Sequence, residues 1–283
     1  MSPSASQDSF GSRLRAAIGE RGNLCVGIDP HPALLQDWGL GVDAAGTAEF
    51  ARRCLRAFGD LVPAIKIQVA FFEEYGSAGY SVLEDILAST GAAGALSIAD
   101  AKRGDIGSTM AGYARAWLRA DSPLACDALT ISPYLGVGSL DPAFDEATAS
   151  GRGLFVLART SNPEAGPLQA STGPTGTVAQ SVVDEVGKRN AATGTSGPGS
   201  FGVVVGATVS DPPDLAGLRG PVLMPGVGHQ GGTLDDVRRI AGPALPDTLV
   251  NISRHVLRVG PDVEAMRTAV VELAAAYRFT EVT

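Results

Sequence analysis

The sequence predicts a (β/α)8 barrel, one α/β domain spanning residues 1–283. Three observations carry that prediction. Short apolar, β-branched-rich runs recur eight times along the chain. Most are separated by a segment with helical period. The runs lack polar alternation, so each strand is expected to be covered on both faces, as in a parallel sheet wrapped by helices. A length of 283 residues accommodates eight such units. The rival, an open doubly wound sheet, usually carries a GxGxxG turn after its first strand. Here that turn reads Gly27-Ile28-Asp29-Pro30-His31.

The elements follow in order. Met1–Ser9 is small and polar and reads as a disordered leader before a first helix near Phe10 to Glu20. It lacks the basic start and apolar middle of a signal peptide. Strands are expected at Leu24–Ile28, Val62–Ile67, Ala95–Ala99, Ala128–Ile131, Leu154–Leu157, Val203–Val205, Pro221–Met224 and Thr248–Ile252. Phe50, Cys54, Leu55 and Phe58 share one helical face, and Met110, Tyr113, Trp117 and Leu118 share another. A third face, Val263, Met266, Val270, Leu273 and Tyr277, closes the chain. Two regions break the rhythm. The loop after strand five, Ser161 through Pro174, is long for a βα connection and reads as a lid. Thr193–Ser200 is small and flexible, lies on the opposite αβ side, and reads as a spacer.

Composition excludes several function classes. Hydrophobic residues make up 45% and charged residues 18%, as a packed globular core requires. The net charge is −8 and no Lys/Arg run exists, which argues against nucleic acid as a partner. No apolar run reaches the roughly 18 residues of a membrane span. Cys25, Cys54 and Cys126 are scattered in apolar settings without a CxxC pair, so they read as reduced core residues of a cytoplasmic protein. His31, His229 and His255 show no HxxH or HxxxH spacing.

In a barrel, chemistry collects where strands end and βα loops begin. The most informative segment lies there: Ala99-Asp100-Ala101-Lys102-Arg103-Gly104-Asp105-Ile106, directly after the third apolar run. On a strand, Asp100 and Lys102 point to the same face. Charges at the end of a buried strand need a partner or a task. The other strand ends contribute Asp29, Lys66 and Gln68, Ser132, Arg159 and Ser161, Gln230, and Arg254. The glycine-rich turn Pro225-Gly226-Val227-Gly228-His229-Gln230-Gly231-Gly232 can offer backbone N–H groups to an anion. Arg254, one strand away, can grip a phosphate through two parallel bonds. Plainer readings stand beside these: a salt bridge where a strand enters a loop, and glycines that merely permit a tight turn.

At this point the chain resembles the orotidine 5′-phosphate decarboxylase family, and its longer bacterial subgroup in particular. The resemblance rests on Asp100-Ala101-Lys102-Arg103-Gly104-Asp105-Ile106, supported by Gly27-Ile28-Asp29-Pro30, Ile65-Lys66, Pro225-Gly226-Val227-Gly228 with Gln230, and Ser253-Arg254, in matching order. It implies a homodimeric barrel without metal or organic cofactor that converts orotidine 5′-phosphate to UMP and CO2 in pyrimidine biosynthesis. It implies that Asp29 and Lys66 bind ribose hydroxyls and that Asp100 and Lys102 face the reacting C6 carboxylate. Asp105, with Ile106 and Thr109, would come from the partner subunit. Ser161 would touch the pyrimidine. Gln230 and Arg254 would hold the phosphate beside Pro225, with backbone amides near Gly228 and Ser253. No role follows for His255.

The implied chemistry suits these residue types. Loss of CO2 leaves negative charge on C6, and a preorganised cation beside that carbon is the direct remedy. Lys102 would supply it and then its proton, held charged by Asp100 and Asp105 in an alternating row with Lys66. Three alternatives use the same barrel. A metal-dependent sugar-phosphate lyase or aldolase would need a carboxylate near Asp100, where Lys66 and Gln68 stand instead. A sugar-phosphate isomerase or epimerase needs paired acid–base groups across its substrate. A non-catalytic phosphate-ligand binding barrel would not need Lys102 between two acids.

Overall fold

The computed structural model describes residues 9–174, 176–194 and 197–279. Eight parallel strands close into a barrel: β1 (Leu24–Ile28), β2 (Ala64–Gln68), β3 (Leu96–Arg103), β4 (Ala128–Ile131), β5 (Gly153–Arg159), β6 (Phe201–Val205), β7 (Val222–Pro225) and β8 (Thr248–Ile252). Each pairs with the next, and β8 returns to β1 through Leu24 and Val250. Every expected strand is present. β3 and β5 run further than their apolar cores, to Arg103 and Arg159, so both carry charge inside their last turns of ladder.

Helices α1 (Phe10–Arg21), α2 (Ala44–Phe58), α3 (Gly76–Ala93), α4 (Gly107–Leu118), α5 (Asp141–Ala149), α6 (Val178–Ala192), α7 (Leu234–Ala241) and α8 (Val263–Ala276) surround the sheet. Five of them, α1, α2, α6, α7 and α8, start with a side-chain cap that satisfies orphan amides. Asp43 accepts from Gly46 N at 2.8 Å, and Thr233 and Asp236 form a reciprocal capping box. Ser9 belongs to this set. Expected in the leader, it instead caps α1 by accepting from Ser12 N. Residues 1–8 of that leader lie outside the described residues.

One unit departs from the eightfold pattern. Among the described residues, 206–221 between β6 and β7 form no helix. Asp211-Pro212-Pro213-Asp214 sits in that stretch, and consecutive prolines remove the amide donors a helix needs. Buried Asn190 of α6 holds the segment instead. Its amide donates to the carbonyls of Phe201 (2.7 Å) and Leu218 (2.9 Å), and its oxygen accepts from Phe201 N. The loop after β5 is also more structured than a bare lid. It contains a 3-10 turn (Pro163–Ala165), a short helix (Gly166–Gln169) and a two-stranded ribbon joining Thr172–Gly173 to Gly176–Thr177.

The core has two layers. Outside the barrel, strand side chains meet the expected helix faces, including Phe50, Cys54, Phe58, Met110, Trp117, Met266 and Val270. Inside, each strand contributes one residue to a second cluster: Cys25, Ala64, Ile98, Ala128, Phe155, Val204, Leu223 and Leu249. Helix α1 lies across the N-terminal end of the barrel and adds Phe10, Leu14 and Ile18 to that cluster. The Phe10 ring stands edge-on to Phe155, with centroids 6.0 Å apart and an 88° interplanar angle. It can do so because residue 153 is glycine; a Cβ there would lie 2.1 Å from the ring. Arg13 anchors the helix to Asp127 at 2.5 Å. The three cysteines are free and buried in these layers, and burial pushes the Cys25 and Cys126 thiols up to about 12.

With its N-terminal end plugged, the barrel opens only toward the C-terminal ends of the strands. Phe10→Ala should therefore cost about 3–5 kcal/mol, the range for emptying a buried aromatic site. Urea unfolding checks this, and an unchanged midpoint would mean that α1 is not part of the cooperative core.

Candidate active site

The barrel's mouth holds a cavity of about 330 Å³, within the size range of small-molecule sites. Its floor is apolar, built from Leu157, Val204 and Leu223. One wall is ionic. Lys66 Nζ donates to Asp100 Oδ2 (3.2 Å), Gln68 Oε1 (3.0 Å) and Asp29 Oδ1 (3.5 Å). Lys102 Nζ donates to the other Asp100 oxygen, Oδ1, at 2.6 Å. Thr130 Oγ1 donates to that same oxygen at 2.9 Å. Asp100 thus accepts from two ammonium groups and a hydroxyl.

Burial alone would push the Asp100 carboxyl up, but Lys66, Lys102 and the Thr130 hydroxyl outweigh it and bring the carboxyl from 3.8 down to about 2. Burial likewise works against the Lys66 ammonium, and the carboxylates of Asp29 and Asp100 override it, raising Lys66 above its ordinary value. The two lysines differ in what they have left to give. An ammonium has three donors, and Lys66 directs its ammonium at three acceptors while its side chain is only 7% exposed. Lys102 makes one of these bonds, to Asp100, and its side chain is 46% exposed at the cavity. Lys102 is therefore the cation available to a bound molecule.

The β3 backbone explains how Lys102 reaches this position. Pairing runs from Ala99 opposite Leu129 to Arg103 opposite Ile131. β3 advances four residues (103 − 99) while β4 advances two (131 − 129). The excess forms a bulge, and inside it Lys102 adopts φ 49°, a left-handed conformation rare for a side chain of its kind. Arg103 pins the far side. Its guanidinium pairs with Glu73 and lies over the rings of Tyr113 and Trp117, at 5.7 and 5.6 Å.

The opposite wall is built by the turns after β7 and β8 and the loop after β5. Ser161 Oγ donates to Gln230 Oε1 at 2.8 Å. Arg254 donates to His229 Nε2. Gly226 has φ 98°, and a Cβ there would lie 2.8 Å from Gln230 Oε1, so glycine is what lets the turn fold over. Gly27 is required by a neighbour: a Cβ would lie 2.0 Å from Ser253 Oγ. His31 packs against Phe71 at 4.2 Å, and burial lowers its basicity.

Several amides of the glycine-rich turn close the turn itself. Gly228 N donates to Gly232 O (2.9 Å), Gly231 N to Gly228 O (2.9 Å) and Gly232 N to Gly226 O (3.1 Å). The turn spends these donors on its own carbonyls, and Gly228 does not line the cavity. His229, Gln230, Ser253 and Arg254 line the cavity on this side.

Residues 22–269 match the family model described as Orotidine 5′-phosphate decarboxylase / HUMPS family. The chain belongs to this family. An orotidine 5′-phosphate decarboxylase of Corynebacterium efficiens is 55% identical over 270 residues, which cover 95% of this chain and 96% of the relative. The solved structure of a candidate orotidine 5′-phosphate decarboxylase from Streptomyces avermitilis superposes with a TM-score of 0.91 at 51% identity, covering 97% of each chain. The OMP decarboxylase of Leishmania donovani gives 0.74 at 29% identity, covering 96% of this chain and all of that one.

All five segments that carry the sequence resemblance to orotidine 5′-phosphate decarboxylases send at least one side chain to the cavity. They supply Asp29, Lys66, Asp100 with Lys102, Pro225 with Gln230, and Ser253 with Arg254; Ser161 joins them from the loop after β5. Asp105, Ile106 and Thr109 do not line it. The Asp105 carboxylate accepts from Ile106 N at 2.7 Å, and the expected fourth member of the charge row is not in contact with Lys102 of its own chain among the described contacts. His255 is exposed and meets only Arg258, at 3.4 Å, among the described contacts. Sequence reasoning missed Thr130, the lone polar side chain in an apolar four-residue strand, and His229, hidden among the glycines.

The two lysines should separate on stability. Lys66→Met leaves buried Asp100 and half-buried Asp29 short of their counter-charge and should cost about 3–5 kcal/mol. Lys102→Met removes a half-exposed partner and should cost less than about 1 kcal/mol. The lowered Asp100 carboxyl itself favours the folded state by about 2 kcal/mol, in full above its unfolded value near 4 and lost as pH falls toward 2. Urea titrations of both variants at neutral pH check the contrast; equal losses would contradict the division of labour.

Proposed function

We propose that this protein decarboxylates orotidine 5′-phosphate to UMP and CO2, the carboxy-lyase step of UMP biosynthesis. The observation that carries the reading is the Lys66–Asp100–Lys102 row facing one cavity with Gln230 and Arg254. A ring carboxylate and a phosphate are the two charged groups such a cavity suits, one at each wall.

The reaction breaks the bond between C6 and the carboxylate carbon. CO2 leaves, and the electron pair stays on C6. The Lys102 ammonium, held at Asp100 and open to the cavity, stabilises that charge and donates its proton to C6. Lys102 regains a proton from solvent after product release. Asp100, kept ionised, also opposes the substrate carboxylate; that repulsion ends with the departure of CO2. Asp29 and Lys66 bind the ribose hydroxyls, Lys66 giving up its longest bond, 3.5 Å to Asp29, to do so; Ser161 binds the pyrimidine, and Gln230 and Arg254 the phosphate beside Pro225 and Ser253. Phosphate binding lies remote from the reacting bond, so its free energy goes into ordering the loop after β5. No organic cofactor or metal enters this scheme. A divalent cation at Asp100 would sit between two ammonium groups.

The working unit in this reading is a homodimer in which Asp105 and Thr109 cross to the partner's cavity. Three features support it. The Asp105 carboxylate lies off its own chain's cavity. Ile106, Tyr134 and Leu135 are 61%, 76% and 53% exposed, an apolar surface suited to cover by a second copy. The β3 and β4 ends that bear these residues are joined by Ser132 N to Arg103 O at 2.8 Å. The partners are thus orotidine 5′-phosphate, UMP and a second copy of the chain, with no nucleic acid or membrane. Among the described residues no helix is long and apolar enough to cross a membrane, and a cytoplasmic location fits the reading.

Lys102→Ala should abolish turnover, followed by loss of orotidylate absorbance, while UMP still binds. Decarboxylation near the wild-type rate in that variant would overturn the mechanism. Mixing Lys102→Ala chains with Asp105→Asn chains should restore up to about a quarter of wild-type activity, because half of randomly paired dimers carry one intact site of two. No recovery after subunit exchange would mean that each site is built within one chain.

A further inference from the structure

Thr130 is almost completely buried, 1% exposed, on the short strand β4. It stands opposite the β3 bulge, as the one β4 residue between the pairs Ala99–Leu129 and Arg103–Ile131. Three β3 residues, Asp100, Ala101 and Lys102, face it across the interrupted ladder. Its hydroxyl makes two bonds at once. It accepts from Lys102 N at 3.0 Å and donates to Asp100 Oδ1 at 2.9 Å.

Each bond answers a need that the bulge creates. The Lys102 amide has lost its regular ladder partner, and an unpaired amide at a strand end is costly. Lys102 also sits at φ 49°, a conformation that persists only where neighbours over-determine it. Arg103 fixes the chain on one side, through Glu73 and the two aromatic rings. On the other side the group that takes the displaced amide is the Thr130 hydroxyl. Having accepted there, its own hydrogen is free for Asp100 Oδ1, the atom that also receives the Lys102 ammonium. One oxygen therefore ties the backbone of Lys102 to the carboxylate that its side chain grips.

We propose that Thr130 is the positioning residue for Lys102: its hydroxyl holds the left-handed bulge and the Asp100 carboxylate in register, and so aims the ammonium at the reacting carbon. Thr130 does not line the cavity. It sets the rate through Lys102 alone, so it acts on kcat rather than on binding. The inference rests on the decarboxylase reading for its kinetic consequence, while its geometric consequence stands apart from turnover.

The test compares wild type, Thr130→Val and Thr130→Ser. Valine keeps the shape and deletes both bonds; serine keeps the hydroxyl and deletes a methyl. Three quantities are read: kcat on orotidine 5′-phosphate, UMP affinity by calorimetry, and the rate at which Lys102 is acylated by an amine reagent, followed by mass spectrometry. The Val variant should lose roughly 10- to 100-fold in kcat with UMP affinity within about threefold, as removal of a bond to a charged group predicts. Its Lys102 should be acylated several-fold faster, released from Asp100. The Ser variant should resemble wild type in all three. Should the Val chain not fold, Thr130→Ala takes its place. Wild-type kcat and acylation in the Val variant would overturn the proposal, as would a Ser variant as impaired as Val. A wild-type protein inactive on orotidine 5′-phosphate would remove the decarboxylase reading instead, and the acylation rates would still decide the role of Thr130.

Discussion

The rest of the site depends on one buried carboxylate shared between two lysines. Asp100 would be costly at this depth without compensation, and each lysine would be costly without it. Together they form a row whose charges hold one another ionised. The sharing is unequal, and the inequality creates function. Lys66 is enclosed and directed at three acceptors, so it fixes the charge of Asp100. Lys102 is bound at one point and otherwise faces the cavity. The same carboxylate thus encloses one lysine and leaves the other open to the cavity.

That row can exist only because the barrel is asymmetric along its axis. A barrel lumen filled throughout by side chains has no room for a ligand. Here the N-terminal half is filled by one layer of strand residues and by Phe10, Leu14 and Ile18 of α1. The apolar layer ends at Leu157, Val204 and Leu223, which form the cavity floor. Everything polar in the lumen is displaced to the other end, where solvent and ligand enter. The plug and the ionic row are therefore two consequences of one distribution of residues along eight strands.

How much of this was legible in the sequence depended on the range of the interaction. Strands and helix faces follow from local periodicity, and all eight runs formed strands. The side chains that reach the cavity lie at strand ends, and barrel geometry alone points to them: Asp29, Lys66, Asp100, Lys102, Gln230 and Arg254. Three features were not read from the apolar periodicity. The β3 bulge arises from pairing with β4, thirty residues on, so Thr130 gave no signal beyond its polarity. The glycines after β7 read as an anion cradle, and three of their amides, those of Gly228, Gly231 and Gly232, also close the turn upon itself. The helix absent between β6 and β7 was foreshadowed by Pro212-Pro213, and the substitute, Asn190, lies in the preceding helix.

The wall that faces the ionic row is built on the opposite principle. Its polar groups are bonded to one another: Ser161 to Gln230, and Arg254 to His229. Gln230 accepts from Ser161 through its oxygen and keeps its two N–H donors, and Arg254 uses one guanidinium nitrogen on His229 and keeps the rest. In the proposed reading a phosphate would take those remaining donors without breaking either contact. Gln230 would then join the phosphate, through its nitrogen, to the serine on the loop after β5, through its oxygen. The ionic row has its charges fixed by mutual pairing, and binding energy gathered at the opposite wall would place the substrate against it.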